Sequence, residues 1–159
     1  MTVREALTHP WLTVRTQIAL GLFFVVAALP KVADPPGFAH MVYNYKILPG
    51  PLVNPLALVM PWAELLMGIA LILGLWRRSA ATLVGALLLV FIVAISVNLL
   101  RGNAIDCGCF DVTAQNLTRE EKLRDMWGVL VRDVGMLVLV AQGLLGARRV
   151  EAEGEAAAT

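Results

Sequence analysis

Charge is what this sequence lacks most. Asp, Glu, Lys and Arg make up 16% of its 159 residues and balance to a formal net charge of +1. A globular domain carries about a quarter of such residues, and a nucleic-acid partner would require a concentrated basic surface, so no nucleic acid is expected. Thiols are as scarce. Cys107 and Cys109 are the whole inventory, too few for a disulfide-stapled scaffold. The two histidines are His9 and His40.

Apolar residues fill the remainder, at 58% of the chain and a mean hydropathy of +0.74. A soluble domain of this length would have to expose large apolar patches, whereas a bilayer wets them with lipid. The expected fold class is therefore all-α integral membrane: a four-transmembrane-helix bundle in contact with the lipid bilayer. Crossing roughly 30 Å of hydrocarbon takes about 20 apolar residues. The runs that satisfy this are Trp11 to Leu29, Pro55 to Trp76, Ala80 to Leu100 and Met126 to Ala147. They give one membrane domain over residues 1–147 and a flexible tail over 148–159. No clean Ala-x-Ala site follows the first run, so it reads as a span and not a cleaved signal peptide.

Local signals refine this outline. Thr8-His9-Pro10 suits a helix start, and Thr118-Arg119-Glu120-Glu121 reads as a capping box that starts the last helix outside the membrane. Asp34-Pro35-Pro36 opens a short interfacial helix between spans one and two, with Phe38, Met41, Val42 and Tyr45 at helical spacing. Pro49-Gly50-Pro51 is expected to end it. Four spans put both termini on one side. Arg4, Arg15, Arg77, Arg78, Arg148 and Arg149 lie there, against Lys31, Lys46, Arg101, Arg119, Lys122 and Arg124 on the other. The counts tie. The denser Arg77-Arg78 and Arg148-Arg149 pairs favour cytoplasmic termini and an extracytoplasmic cysteine loop.

Two constellations carry chemistry. Cys107-Gly108-Cys109 can close a very small disulfide ring, and a strained ring is readily reduced. Such a bond constrains almost no chain entropy, so it points to redox work and not stapling. Inert thiols and soft-metal ligation stay open beside that reading. The second constellation is ionisable and intramembrane. Glu64 lies about 13 Å past Pro55, and Arg132 with Asp133 about 9 Å past Met126. Lys31 and Asn98 fall near span ends on the same side. Such residues are costly in lipid and default to functional roles, although a structural ion pair of Glu64 with Arg132 accounts for them equally simply.

These residues resemble the MauE/DoxX family of membrane proteins, and within it the methylamine-utilisation MauE branch. The resemblance covers about residues 10–145. It runs through Lys31, Asp34-Pro35 and Phe38, Leu48-Pro49, Pro61 with Glu64, Arg101-Gly102, Cys107-Gly108-Cys109-Phe110 and Arg132-Asp133. Asp111 stands where the family often has glycine, and Asp133 where asparagine is common. The resemblance implies a bacterial inner-membrane protein tied to thiol redox chemistry. MauE is linked to maturation of a disulfide-rich periplasmic dehydrogenase subunit beside a thioredoxin-like partner, and DoxX relatives to sulfur-compound oxidation with quinone as acceptor.

The resulting expectation is a membrane thiol–disulfide oxidoreductase or relay. Cys107 and Cys109 exchange with a thioredoxin-like or other cysteine-containing periplasmic protein. Glu64, Arg132 and Asp133 handle protons or position an acceptor, and Lys31, Asn98 and Arg101 line a quinone site. A non-catalytic maturation scaffold and a soft-metal handling or transport protein are the alternatives.

Overall fold

The computed structural model describes residues 9–105 and 118–157, with side chains as far as residue 146. Among the described residues there are five helices and no strand: α1 (Pro10–Ala33), α2 (Pro35–Asn44), α3 (Gly50–Leu73), α4 (Arg77–Leu100) and α5 (Arg119–Ala157). All but α2 are long and apolar enough to cross a membrane. They close a ring in which α1 packs on α3, α3 on α4, α4 on α5 and α5 back on α1, while α2 lies against α3 and the end of α1. The protein is thus a multi-pass, all-helical membrane bundle, as its composition requires.

The helix ends follow from local chemistry. His9 caps α1 by accepting from the Trp11 amide at 3.3 Å; the expected threonine cap, Thr8, lies outside the described residues. The helix runs through Pro30 to Ala33, so Lys31 sits inside its last turn and not beyond it. Asp34 then caps α2, its Oδ1 accepting from the Gly37 amide at 3.0 Å. Pro49-Gly50-Pro51 opens α3 instead of closing α2, because a proline in the first turn gives up only an amide that has no helical partner. The second span therefore starts at Gly50, five residues before Pro55, and Pro55 and Pro61 lie inside it. It stops at Leu73, earlier than Trp76. Gly74 takes the left-handed conformation (φ 70°), and the Leu75 amide reaches back to the Ala70 carbonyl at 2.9 Å.

The capping box forms as expected. The Thr118 amide donates to Glu121 Oε2 at 2.8 Å, and the Glu121 amide to Thr118 Oγ1 at 3.4 Å. Helix α5 consequently begins at Arg119, seven residues ahead of Met126. Its backbone continues as helix to Ala157, within the segment expected as a flexible tail, whose alanines and glutamates are strong helix formers.

Small residues let the helices approach. A Cβ on Gly21 would stand 2.6 Å from the Gly68 carbonyl oxygen, and one on Gly68 only 2.8 Å from the Gly21 oxygen. Backbone meets backbone there, a device that membrane interfaces use because lipid offers no hydrophobic drive to pack. One core layer gathers Leu20, Phe24, Leu71, Val84, Leu88 and Met136. Toward the other end lie Phe38, Met41, Ala57 and Met60, then Tyr45, Ile95, Ile105 and Met126. The interfacial helix thus buries Phe38 and Met41 against α3. Leu22, Val26, Val59, Leu66, Val90, Val93, Val131 and Val138 face outward, exposed to lipid.

Candidate functional site

Four of the ionisable residues singled out by sequence meet around one small cavity between α1, α3, α4 and α5. Lys31, Glu64, Arg132 and Asp133 line it together with Phe23, Phe24, Phe91 and Met136. Lys31 is near the end of α1, yet helical Cα–Cβ bonds tilt toward the N-terminus, so its stem folds back into the bundle. Its Nζ donates to both carboxylate oxygens of Glu64, at 2.9 and 2.7 Å. Both side chains are buried, at 4% and 2% exposure. The rings of Phe38 and Phe91 each stand 5.3 Å from the ammonium, within cation–π range.

Arg132 does not reach Glu64. Its Nε and a terminal nitrogen (NH2) instead donate to Oδ1 of the adjacent Asp133, at 3.0 and 2.8 Å, and its guanidinium lies 5.0 Å from the centre of the Phe23 ring. The expected Glu64–Arg132 pair is therefore replaced by two pairs, Lys31–Glu64 and Arg132–Asp133. A span-end lysine with four methylenes reaches further inward than a count of helical rise suggests. Two cations face two anions, so the cluster is neutral as a whole. This balance lets charges sit where lipid would otherwise make each of them prohibitively costly.

The cavity has a volume of about 20 Å³, enough for one water molecule. It is too small for a quinone ring. Among the described residues no group of three or more His, Cys, Asp or Glu side chains gathers to hold a metal ion.

Asn98 and Arg101 stand apart from this cluster. Asn98 is completely buried, and its amide nitrogen donates to the Tyr45 carbonyl at 3.1 Å and the Ala94 carbonyl at 3.0 Å. Its oxygen accepts from Asn103 Nδ2 at 3.4 Å. It ties the end of α2 to α4 and to the chain leaving α4. Arg101 donates to the Lys46 carbonyl at 3.4 Å, and Arg119 at the start of α5 donates to the Gly102 carbonyl at 3.2 Å. The chain thus enters and leaves the cysteine segment from a tied frame. Cys107 and Cys109 themselves lie outside the described residues.

Sequence reasoning missed the aromatic rings over Lys31 and Arg132 and the Gly21–Gly68 contact. It also passed over Gln17, which is buried on α1 with no hydrogen-bond partner for Nε2 among the described residues. Of these, only Gln17 carried a signal, as an amide inside an apolar run.

The family model for "Methylamine utilisation protein MauE" matches residues 9–146. A methylamine utilization protein MauE of Methylorubrum extorquens is 37% identical over 143 residues, covering 89% of this chain and 73% of the relative. The protein of the same name from Methylophilus methylotrophus is 42% identical over 108 residues, covering 67% of this chain and 57% of its own length. That of Paracoccus versutus is 33% identical over 150 residues, covering 92% and 77%. No solved structure matches the chain.

Proposed function

The chain belongs to the methylamine utilisation MauE family, and from that premise we propose that it is a thiol–disulfide exchange protein of the bacterial inner membrane, serving methylamine utilisation. Its termini face the cytoplasm and its cysteine segment faces the periplasm. Cys107 and Cys109 form a disulfide that exchanges with a cysteine-bearing, thioredoxin-like periplasmic protein.

The exchange balances without a further reagent. A partner thiolate attacks one sulfur of the Cys107–Cys109 bond, and the other sulfur leaves as thiolate. The partner's second thiolate then attacks the mixed disulfide. The partner ends as a disulfide, the Cys-Gly-Cys pair as a dithiol, and the two protons follow the electrons; the reverse reaction is the same path run backwards.

The observation that carries this reading is the tied frame on both sides of the cysteine segment. Asn98, Arg101 and Arg119 fix the places where the chain leaves α4 and enters α5, so the segment that carries Cys107 and Cys109 starts and ends at tied points of the bundle. Beneath it, the Lys31–Glu64 pair joins α1 to α3, and the Arg132–Asp133 pair of α5 lines the same cavity. No step of this exchange passes through a quinone.

Full charge pairing in that interior favours a second reading, in which the protein is a scaffold that holds the partner for maturation and turns over nothing itself. Purified protein incubated with a model dithiol decides between them. Stoichiometric oxidation of the dithiol by the wild type, lost in Cys107→Ser/Cys109→Ser, supports exchange. No oxidation above the double variant's background leaves the scaffold.

A further inference from the structure

A groove of about 380 Å³ runs between α3 and α4, toward the end of the bundle opposite the cysteine segment. Leu66, Met67 and Ala70 of α3 form one wall, and Ala80 and Leu83 of α4 the other. Leu66 and Leu83 are exposed, so the groove belongs to the lipid-facing surface and not to the core. At the turn between the two helices, Trp76 and Ser79 complete its lining. Leu66 and Ala70 are four residues apart and stand one above the other on one face of α3; Gly74 is the next position in that row.

The foot of the groove carries a charge. A Cβ on Gly74 would stand 2.7 Å from a terminal nitrogen of Arg77 and 2.8 Å from its Nε, so the guanidinium lies against the Gly74 backbone, one turn beyond Ala70. Nε donates to the Gly74 carbonyl at 3.4 Å, which holds the group there. The two terminal nitrogens make no hydrogen bond or ion pair among the described residues. No Asp or Glu occurs between Glu64 and Asp106, so neither the turn nor α4 offers an acid to neutralise it. Beside it Trp76 is 83% exposed and adopts φ 43°, a left-handed conformation that a bulky residue seldom takes. Tryptophan favours the membrane–water boundary, which sets the foot of the groove at headgroup level and its walls in the hydrocarbon.

We propose that this groove binds an anionic phospholipid. One acyl chain lies between the α3 and α4 walls, and the phosphate accepts from the terminal nitrogens of Arg77, with the Ser79 hydroxyl as a further donor. Arginine suits a phosphodiester because its planar fork presents two parallel N–H groups. A water-soluble anion gains nothing from the apolar walls, and a neutral apolar molecule gains nothing from Arg77. An amphipathic anion uses both. The uncompensated charge selects a lipid of net negative charge over a zwitterionic one, whose own cation would face Arg77. Neither Cys107 and Cys109 nor the buried charge cluster takes part, so lipid binding here is independent of thiol exchange.

The test titrates phosphatidylglycerol or phosphatidylcholine of identical acyl chains into the full-length protein in neutral detergent. Thermal unfolding and native mass spectrometry report the bound lipid. The wild type should bind phosphatidylglycerol about tenfold more tightly than phosphatidylcholine, the scale of a charge-assisted contact. Arg77→Gln should lose that preference. Ala70→Leu, which fills the groove, should weaken the binding of both lipids. Equal affinity for the two lipids in the wild type would overturn the proposal, whether or not either variant folds. So would a preference that survives in Arg77→Gln. Inorganic phosphate that stabilises the wild type as well as phosphatidylglycerol does, or lipid binding undiminished in Ala70→Leu, would reduce the site to a free-anion contact and overturn the phospholipid assignment.

Discussion

The ammonium of Lys31 is held between both carboxylate oxygens of Glu64, at 2.9 and 2.7 Å, across the interface of α1 and α3. Close by, α1 and α3 touch through backbone at Gly21 and Gly68. One helix pair is thus joined by a buried ion pair at one level and by a glycine contact at another. The aromatic rings of Phe38 and Phe91 take the place of water around the ammonium.

Removing one partner of such a pair strands the other charge, at a cost of about 3–5 kcal/mol. Glu64→Gln and Lys31→Met should each lower the thermal stability of detergent-solubilised protein by an amount in that range. Lys31→Met/Glu64→Met should regain most of it, since an apolar pair of similar volume suits the site. Stability falling additively in the double variant would show that the two residues act independently.

The glycine contact makes a sharper steric prediction. Gly21→Ala or Gly68→Ala places a methyl group against a carbonyl oxygen that belongs to the helix backbone, and overpacking of this kind costs about 1–3 kcal/mol. Gly128→Ala and Gly135→Ala meet nothing within 4 Å and should be neutral or gain up to about 1 kcal/mol from helix propensity. Thermal unfolding of the four variants checks the contrast. Equal effects at all four positions would contradict the close approach of α1 and α3.

The number of spans, the interfacial helix and the capping box were legible because each rests on a local signal: apolar run length, Asp34 before Pro35, and Thr118 three residues before Glu121. Helix ends were less so. Proline both starts helices and sits inside membrane helices, so Pro55 looked like a beginning when Pro51 was the one in the first turn. The four ionisable residues of the interior were also legible, since a charge inside an apolar run stands out by itself. Their pairing was not. A helix apolar all round carries no periodicity to fix its rotation, and depth along the axis alone favoured Arg132 over Lys31 for Glu64. Asn98 shows the same limit. Its sequence position suited the cluster, but its rotation turns it to Tyr45 and Ala94 instead.

The proposed orientation rests on the density of arginine at Arg77-Arg78 and Arg148-Arg149. An alkaline phosphatase fusion after Asp111 should be active, and one after Arg149 inactive. The opposite pattern would put Cys107 and Cys109 in the reducing cytoplasm, where a standing disulfide does not persist.

The account turns on whether Cys107 and Cys109 exchange disulfides in the cell, and acid-quenched alkylation of growing cells measures that directly. It predicts that wild-type protein carries a substantial oxidised fraction at Cys107 and Cys109. It also predicts that one of the two variants, Cys107→Ser or Cys109→Ser, accumulates a reducible adduct with a second protein, because the resolving thiol is gone. Both cysteines fully reduced in the wild type, with no adduct in either variant, would contradict it.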